Sequence, residues 1–271
     1  MKKEEFLEKL ETELKLLKKS ALTVRNYKYF NSKLIDSCNK EPQDINENDV
    51  KKFMASMSDK ASSSMILALA AIRFSSSKVL GRDLTLNIGR PKKEKTLPSV
   101  LSKEEIKKLI ESAETNKSKL IIQFLYSTGL RVSELVNIKP QDLNLNDKTG
   151  IVKHGKGKKD RMFILSQNLA SEITEYLNNH ANNQWLFSSD KPLTTRNIQK
   201  IIKKTASKAQ IQKKVTPHTL RHSYATHLLE QGTDIRVIQT LLGHENLNTT
   251  QIYTHVSTEE IKKVKNPLDE L

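Results

Sequence analysis

Cysteine is nearly missing from this chain of 271 residues. The single Cys38 cannot close an intramolecular disulfide and excludes any multi-cysteine zinc or iron–sulfur site. No apolar run approaches the roughly 20 residues that a helix needs to span a bilayer. The opening MKKEEFLEKL lacks the apolar centre of a secretory signal. A cytoplasmic, reducing setting without membrane attachment is therefore the expectation. Aromatic residues are scarce at 5%, which disfavours recognition of single strands by base stacking. Repeats, low-complexity tracts and carboxylate clusters suited to Mg²⁺ are also missing from the sequence, so neither a metal nor any other cofactor is expected.

What is present is positive charge. Lysine and arginine number 46 against 31 aspartates and glutamates, a formal net charge of +15. Such a surplus attracts polyanions and releases their counterions on binding. With few aromatics to stack on bases, duplex DNA is the expected partner. The competing reading is a set of lysine-rich helices that carry only solvated charge.

The pattern along the chain predicts two domains. In the first, Leu7, Leu10, Leu14 and Leu17 recur at helical spacing within Glu4–Lys19, and Thr23 is read as the N-cap of a second helix carrying Tyr27, Phe30, Leu34 and Ile35. Further helices are expected over 48–57 and 63–79, giving a small helical bundle over residues 1–88. The run GRPKKEKTLP, residues 89–98, has two prolines, three lysines and one arginine and reads as an extended basic linker. Residues 99–271 form the second domain, opening with a capping-box pattern at Ser102 and Glu105. Its segments QDLNL, GIVKH and DRMFIL alternate between turn formers and predict a small three-stranded antiparallel sheet. The remainder is helical, over about 169–179, 195–208, 217–231, 235–242 and 249–255. The predicted fold class is mainly α, a helical bundle followed by a mainly helical domain with one small sheet.

A strand transferase that works on DNA without metal needs fixed cations where the phosphodiester gains negative charge. Planar guanidinium groups match two phosphate oxygens best. It needs a general acid to protonate the departing 5′-oxygen, and an activated nucleophile. Residue types of this kind occur in three motifs. STGLRVSELVNI (127–138) contains Arg131 and Glu134. VKHGKGKKDR (152–161) places Lys156 between two glycines. HTLRHSYATHLLEQGTDIRVIQTLLGHENLNTTQIYTHV (218–256) contains His218, Arg221, His244 and Tyr253. Thr216-Pro217 has the form of an N-cap with proline at the first helical position, which would place His218 and Arg221 one turn apart on one helix face.

These three motifs closely resemble the conserved boxes of the tyrosine recombinase, or phage integrase, family, and they cover the second domain; the first agrees in size and helical character only. The resemblance implies that Tyr253 is the nucleophile, forming a 3′-phosphotyrosyl ester that conserves the energy of the phosphodiester. It further implies that Arg131 and Arg221 bind the scissile phosphate, that Lys156 is the general acid, that His218 and His244 contact the phosphate or move a proton, and that Glu134 supports the site. Neighbouring lysines, Lys153, Lys158 and Lys159, are expected on the DNA backbone, as are Lys92 and Lys93 of the linker, and Arg196 and Lys200 are candidates for groove contacts. His222 and His227, and likewise Tyr224 and Tyr176, are expected to be packing residues.

Within the family the chain is most similar to the Xer-like branch. Such enzymes assemble as homo-tetramers on paired DNA sites, pass through a Holliday junction, and resolve chromosome dimers during chromosome partition and cell division, in some cases with a DNA translocase. The short chain favours this branch over integrases that carry an additional arm-binding domain. An apolar stripe after the nucleophile, Ile261, Val264 and Leu268, is expected to dock on a neighbouring protomer or pack back on its own domain. Alternatives are a mobile-element integrase with the same chemistry, a type IB topoisomerase, and a DNA-binding protein without activity, which would have no need of the six-residue constellation.

Overall fold

The computed structural model describes residues 1–92, 99–153 and 160–243. The chain divides into two compact units, Met1–Thr96 and Leu97–Leu271. Among the described residues no helix is long and apolar enough to cross a membrane.

The first unit is built from helices α1 (Lys3–Leu16), α2 (Ala21–Cys38), α3 (Glu47–Ala55) and α4 (Ser62–Val79). The stripe that α1 buries is Phe6, Leu10 and Leu14. Leu17, predicted to extend it, lies beyond the helix and is 50% exposed. The N-cap of α2 is Ser20, not Thr23. Ser20 is extended and its Oγ accepts the Thr23 amide at 3.1 Å, so Thr23 occupies the third position of the first turn, and the correction is one turn of register. Asn39, in the left-handed region, ends the helix. The core joins Phe6 to Leu34, Ile35, Val50, Phe53, Leu69 and Ile72. Within it the buried Asn31 amide donates to the carbonyls of Tyr27 (2.9 Å) and Ala71 (3.2 Å) and accepts Ser75 Oγ at 2.5 Å, which ties α2 to α4 by satisfied polar groups.

The second unit opens with α5 (Lys103–Glu111), whose capping box is formed as predicted: Ser102 Oγ accepts the Glu105 amide and Glu105 Oε2 accepts the Ser102 amide. Next come α6 (Asn116–Thr128), the single turn α7 (Val132–Leu135), strands β1 (Leu143–Asn144), β2 (Thr149–Val152) and β3 (Arg161–Ile164), then α8 (Gln167–Asn178), α9 (Thr195–Lys208), α10 (Pro217–Glu230) and α11 (Ile235–Leu242). Helix α6 is the axis of the core. Its Leu120, Ile121, Ile122, Phe124 and Leu125 are fully buried, and Phe163, Ile173, Ile198 and Leu220 belong to the same cluster. The sheet is antiparallel in the order β1-β2-β3. Its register pairs Gly150 with Phe163 and Val152 with Arg161 on the inward face, and Ile151 with Met162 on the exposed face. Gly150 is required there, because a Cβ would enter the Phe163 ring. The fold class is thus mainly helical with one three-stranded antiparallel sheet, as the sequence predicts.

Candidate active site

Helix α6 stops at Gly129, which is left-handed (φ +61°) and so close to Tyr224 and Leu242 that a Cβ would lie 2.6 and 2.7 Å from their side chains. The chain then turns into α7 with Arg131 as its extended N-cap. Glu134, at the third helical position, accepts the Arg131 amide at 2.8 Å and Arg131 Nη1 at 2.7 Å. Its Oε2 also accepts Arg161 Nη2 at 2.8 Å. Glu134 is only 8% exposed. Burial alone would push its carboxyl up, but the hydrogen bond and charge of Arg161, together with those of Arg131, outweigh that cost and hold it below the usual carboxylate range.

Helix α10 begins as predicted, with Thr216 Oγ1 accepting the Thr219 amide and Pro217 in the first turn. Arg221 is buried at 3% exposure. Its Nη1 donates to Gly129 O and its Nη2 to Leu242 O, both at 2.6 Å. One turn earlier, His218 is exposed as a residue. Partial desolvation, then the charges of Arg221 and Arg131, hold it below the ordinary imidazole range. Arg131, Arg221 and His218 therefore share one electrostatic neighbourhood. His222 is pushed down to about 4, first by burial and then by His218 and Arg221. His227 is buried and bonds Tyr126 Oη through Nδ1 at 2.9 Å. Tyr224 is buried too, and desolvation lifts its hydroxyl to about 12, opposite to what a nucleophile needs. Tyr176 is likewise packed. The burial of Tyr176, Tyr224 and His227 agrees with the packing expected of them, and His222 is half-buried.

The C-terminus of α11 joins these parts. Its last carbonyls have no partner within the helix and lie at the negative end of the helix dipole. Three consecutive carbonyls each accept from a different arginine: Leu241 O from Arg161 Nε (3.1 Å), Leu242 O from Arg221 Nη2 (2.6 Å) and Gly243 O from Arg131 Nη2 (3.1 Å). Gly243, left-handed at φ +64°, leaves room for the Arg161 side chain, whose Cδ would lie 2.7 Å from a Cβ there. Four elements, α6, β3, α10 and α11, thus meet around Arg131 and Arg221.

The sequence motifs give no role to Arg161. The signal was present, since the alternation of RMFI places Arg161 on the same inward face as Phe163, and a charged residue on the buried side of a strand needs a partner. Lys153, expected on the DNA backbone, is paired with Asp142 at 2.6 Å. Arg196 and Lys200 are exposed one turn apart on α9, and Lys92 is exposed in the first unit. Lys93, Lys156, Lys158, Lys159, His244 and Tyr253 lie outside the described residues, as do the expected helix 249–255 and the stripe Ile261, Val264 and Leu268. Among the described residues no group of His, Cys, Asp and Glu is placed to hold a metal ion.

Residues 99–260 match the phage integrase family, and residues 6–86 match the phage integrase N-terminal SAM-like domain. The tyrosine recombinase XerA of Pyrococcus horikoshii is 40% identical over 268 residues, covering 96% of this chain and 92% of that protein. A crystal structure of XerA recombinase superposes with a TM-score of 0.58 at 33% identity, covering 96% of both chains. The XerH site-specific recombinase bound to its difH substrate in a pre-cleavage complex superposes with a TM-score of 0.73 at 25% identity, over 89% of this chain and 78% of that one. The chain belongs to the phage integrase family of tyrosine recombinases, in its Xer-like branch, enzymes that cleave and rejoin DNA strands.

Proposed function

We propose that this chain is a Xer-type site-specific recombinase that acts on duplex DNA and resolves chromosome dimers. The observation that carries the reading is the pair of arginines, Arg131 and Arg221, tied to adjacent carbonyls of one helix end with His218 in their field. Fixed cations of this kind suit a phosphodiester that gains charge as it is attacked. A guanidinium group has five N–H donors, so the bonds of Arg131 to Glu134 and Gly243 hold its position and leave donors for phosphate oxygens.

In the reaction Tyr253 attacks the scissile phosphorus. The bond to the 5′-oxygen breaks, Lys156 supplies the proton to that oxygen, and the 3′-phosphate stays on Tyr253 as an ester. Arg131 and Arg221 hold the non-bridging oxygens, His244 donates a hydrogen bond to them, and His218 accepts the phenolic proton or contacts the phosphate. Glu134 supports Arg131. A 5′-hydroxyl from the partner duplex then attacks the ester and frees Tyr253, so the number of phosphodiester bonds is unchanged and no external energy is needed. Exchange between two duplexes cuts four strands, and each protomer carries one nucleophile. A homo-tetramer on paired sites, passing through a Holliday junction, follows from that count. Residues 1–88 serve as the core-binding clamp and 99–271 as the catalytic domain. The basic linker 89–98, with Lys92 and Lys93, follows the duplex, while Lys158, Lys159, Arg196 and Lys200 contact DNA. A DNA translocase is the class of partner that would couple the reaction to cell division in the cytoplasm.

The test is covalent trapping on nicked suicide duplexes drawn from a library of chromosomal sites, with EDTA present. Wild type should form a protein–DNA adduct at a defined site, and Tyr253→Phe should bind the same duplex without forming it. Full adduct yield from Tyr253→Phe would overturn the assignment.

A further inference from the structure

Glu134 creates an electrostatic difficulty for the site. Its carboxylate contacts the Arg131 guanidinium at 2.7 Å, and an isolated pair of that kind is neutral. A neutral pair would offer an anionic phosphate little attraction in a partly buried setting. The structure contains a third charge. Arg161 Nη2 lies 2.8 Å from the other carboxylate oxygen, with Arg161 and Glu134 side chains both under one tenth exposed. The three charges sum to one positive unit.

Arg161 also fixes geometry. Glu134 Oε2 accepts both the Arg131 amide and Arg161 Nη2, so the carboxylate plane cannot rotate without losing one of them. The Arg161 Nε donates to Leu241 O, which locks the same guanidinium to the end of α11. The register of β3 against β2, with Arg161 opposite Val152, sets where the fork lies, and Gly243 provides the space it occupies.

We propose that Arg161 is a positioning and charge-restoring residue: by holding Glu134 from β3 it keeps Arg131 aimed and electrostatically positive toward the scissile phosphate. The inference rests on the phosphate-binding role given to Arg131 above. Arg161 itself need not touch DNA.

The experiment uses the full-length protein at saturating concentration on a nicked suicide duplex that wild type cleaves, and measures the single-turnover rate of adduct formation, duplex affinity and thermal stability. Arg161→Gln should slow adduct formation about 100-fold, the scale at which small misplacement of a reacting group acts, with affinity changed only a few-fold. Arg161→Lys keeps the charge and loses the fork, and should cleave clearly faster than Arg161→Gln. The decisive variant removes both charges. Glu134→Gln in the Arg161→Gln background restores one net positive unit at Arg131, and should cleave faster than Arg161→Gln alone. A merely structural role ties the rate to thermal stability, because partners in one ion-pair network couple in stability, so adduct formation would then track the melting temperature across the variants and not the net charge at Arg131. Rates that track the melting temperature, a double variant no faster than Arg161→Gln, or equal rates for the lysine and glutamine variants, would overturn the proposal. If Arg161→Gln does not fold, the charge argument still requires the double variant to be folded and active, and an inactive or unfolded double variant overturns it. No adduct from wild type would sink the recombinase reading and this proposal with it. Wild-type adduct together with a wild-type rate for Arg161→Gln sinks this proposal alone.

Discussion

At the scale of single residues, Glu134 shows how a charge survives burial. Two guanidinium groups within 2.8 Å and a backbone amide satisfy both of its oxygens, and removing one member of such a cluster leaves uncompensated charge behind. Glu134→Gln keeps the shape and loses the charge, so it should destabilise the protein by about 1–3 kcal/mol at neutral pH. The pH dependence has a definite sign. The folded-state carboxyl titrates below the ordinary glutamate value of about 4.3, so on acidification the unfolded chain takes up the proton first. The contribution of Glu134 is complete above that ordinary value and is lost as pH falls through the lower folded value. Urea midpoints of wild type and Glu134→Gln should therefore differ by a constant amount between about pH 6 and 8 and converge below about pH 4.3. A gap that persists undiminished into that acid range would exclude the carboxyl as its source.

At the scale of elements, the site depends on helix ends rather than helix faces. Helix α6 ends at Gly129, whose carbonyl holds Arg221 Nη1, and α11 ends at Leu242 and Gly243, whose carbonyls hold Arg221 Nη2 and Arg131 Nη2. Gly129→Ala should disturb this arrangement in two ways. It puts a Cβ at φ +61° and drives it against Tyr224 and Leu242. The left-handed strain costs roughly 1 kcal/mol and overpacking typically 1–3 kcal/mol. We expect a loss of about 2–4 kcal/mol in urea unfolding, with adduct formation slowed because the carbonyl that holds Arg221 moves. Wild-type stability and rate in this variant would mean that α6 and α11 are more compliant than their contacts imply. The α2 start belongs to the same scale. Both Ser20 and Thr23 can cap a helix, and the choice of Ser20 is made by backbone conformation, which local composition does not specify.

At the scale of the whole molecule, the net charge of +15 should dominate duplex affinity through counterion release. The logarithm of the association constant should fall linearly with the logarithm of salt concentration, measured by fluorescence anisotropy across a KCl series. Replacing Lys92, Arg196 or Lys200 by glutamine, one at a time, should reduce the slope by about 1 for each residue that neutralises a phosphate. An unchanged slope for a given variant removes that residue from the DNA interface. Lys153 is the contrasting case, since its ion pair with Asp142 offsets its charge locally, and Lys153→Gln should change the slope less than the exposed cations do.

Much of this protein was readable along the chain because the signals are local. Helical periodicity placed α9 and α11 at the bounds they adopt, the capping box at Ser102 and Glu105 marked the start of α5, and alternation with turn formers located all three strands. The motifs that name the family are local too, and so the chemistry was legible before any packing was known. The leucine stripe of α1 was only partly legible, because periodicity continues past the point where a helix ends, and Leu17 was assigned to a core it does not reach. Arg161 is less legible still. Its partners lie 27 and 80 positions away, and the strand register, the left-handed turn at Gly243 and the end of α11 had to be in place before its guanidinium could meet Glu134. Residue types and short spacings specify which groups a site contains, whereas only the packed chain brings the carbonyls of one helix end to three arginines from three other elements.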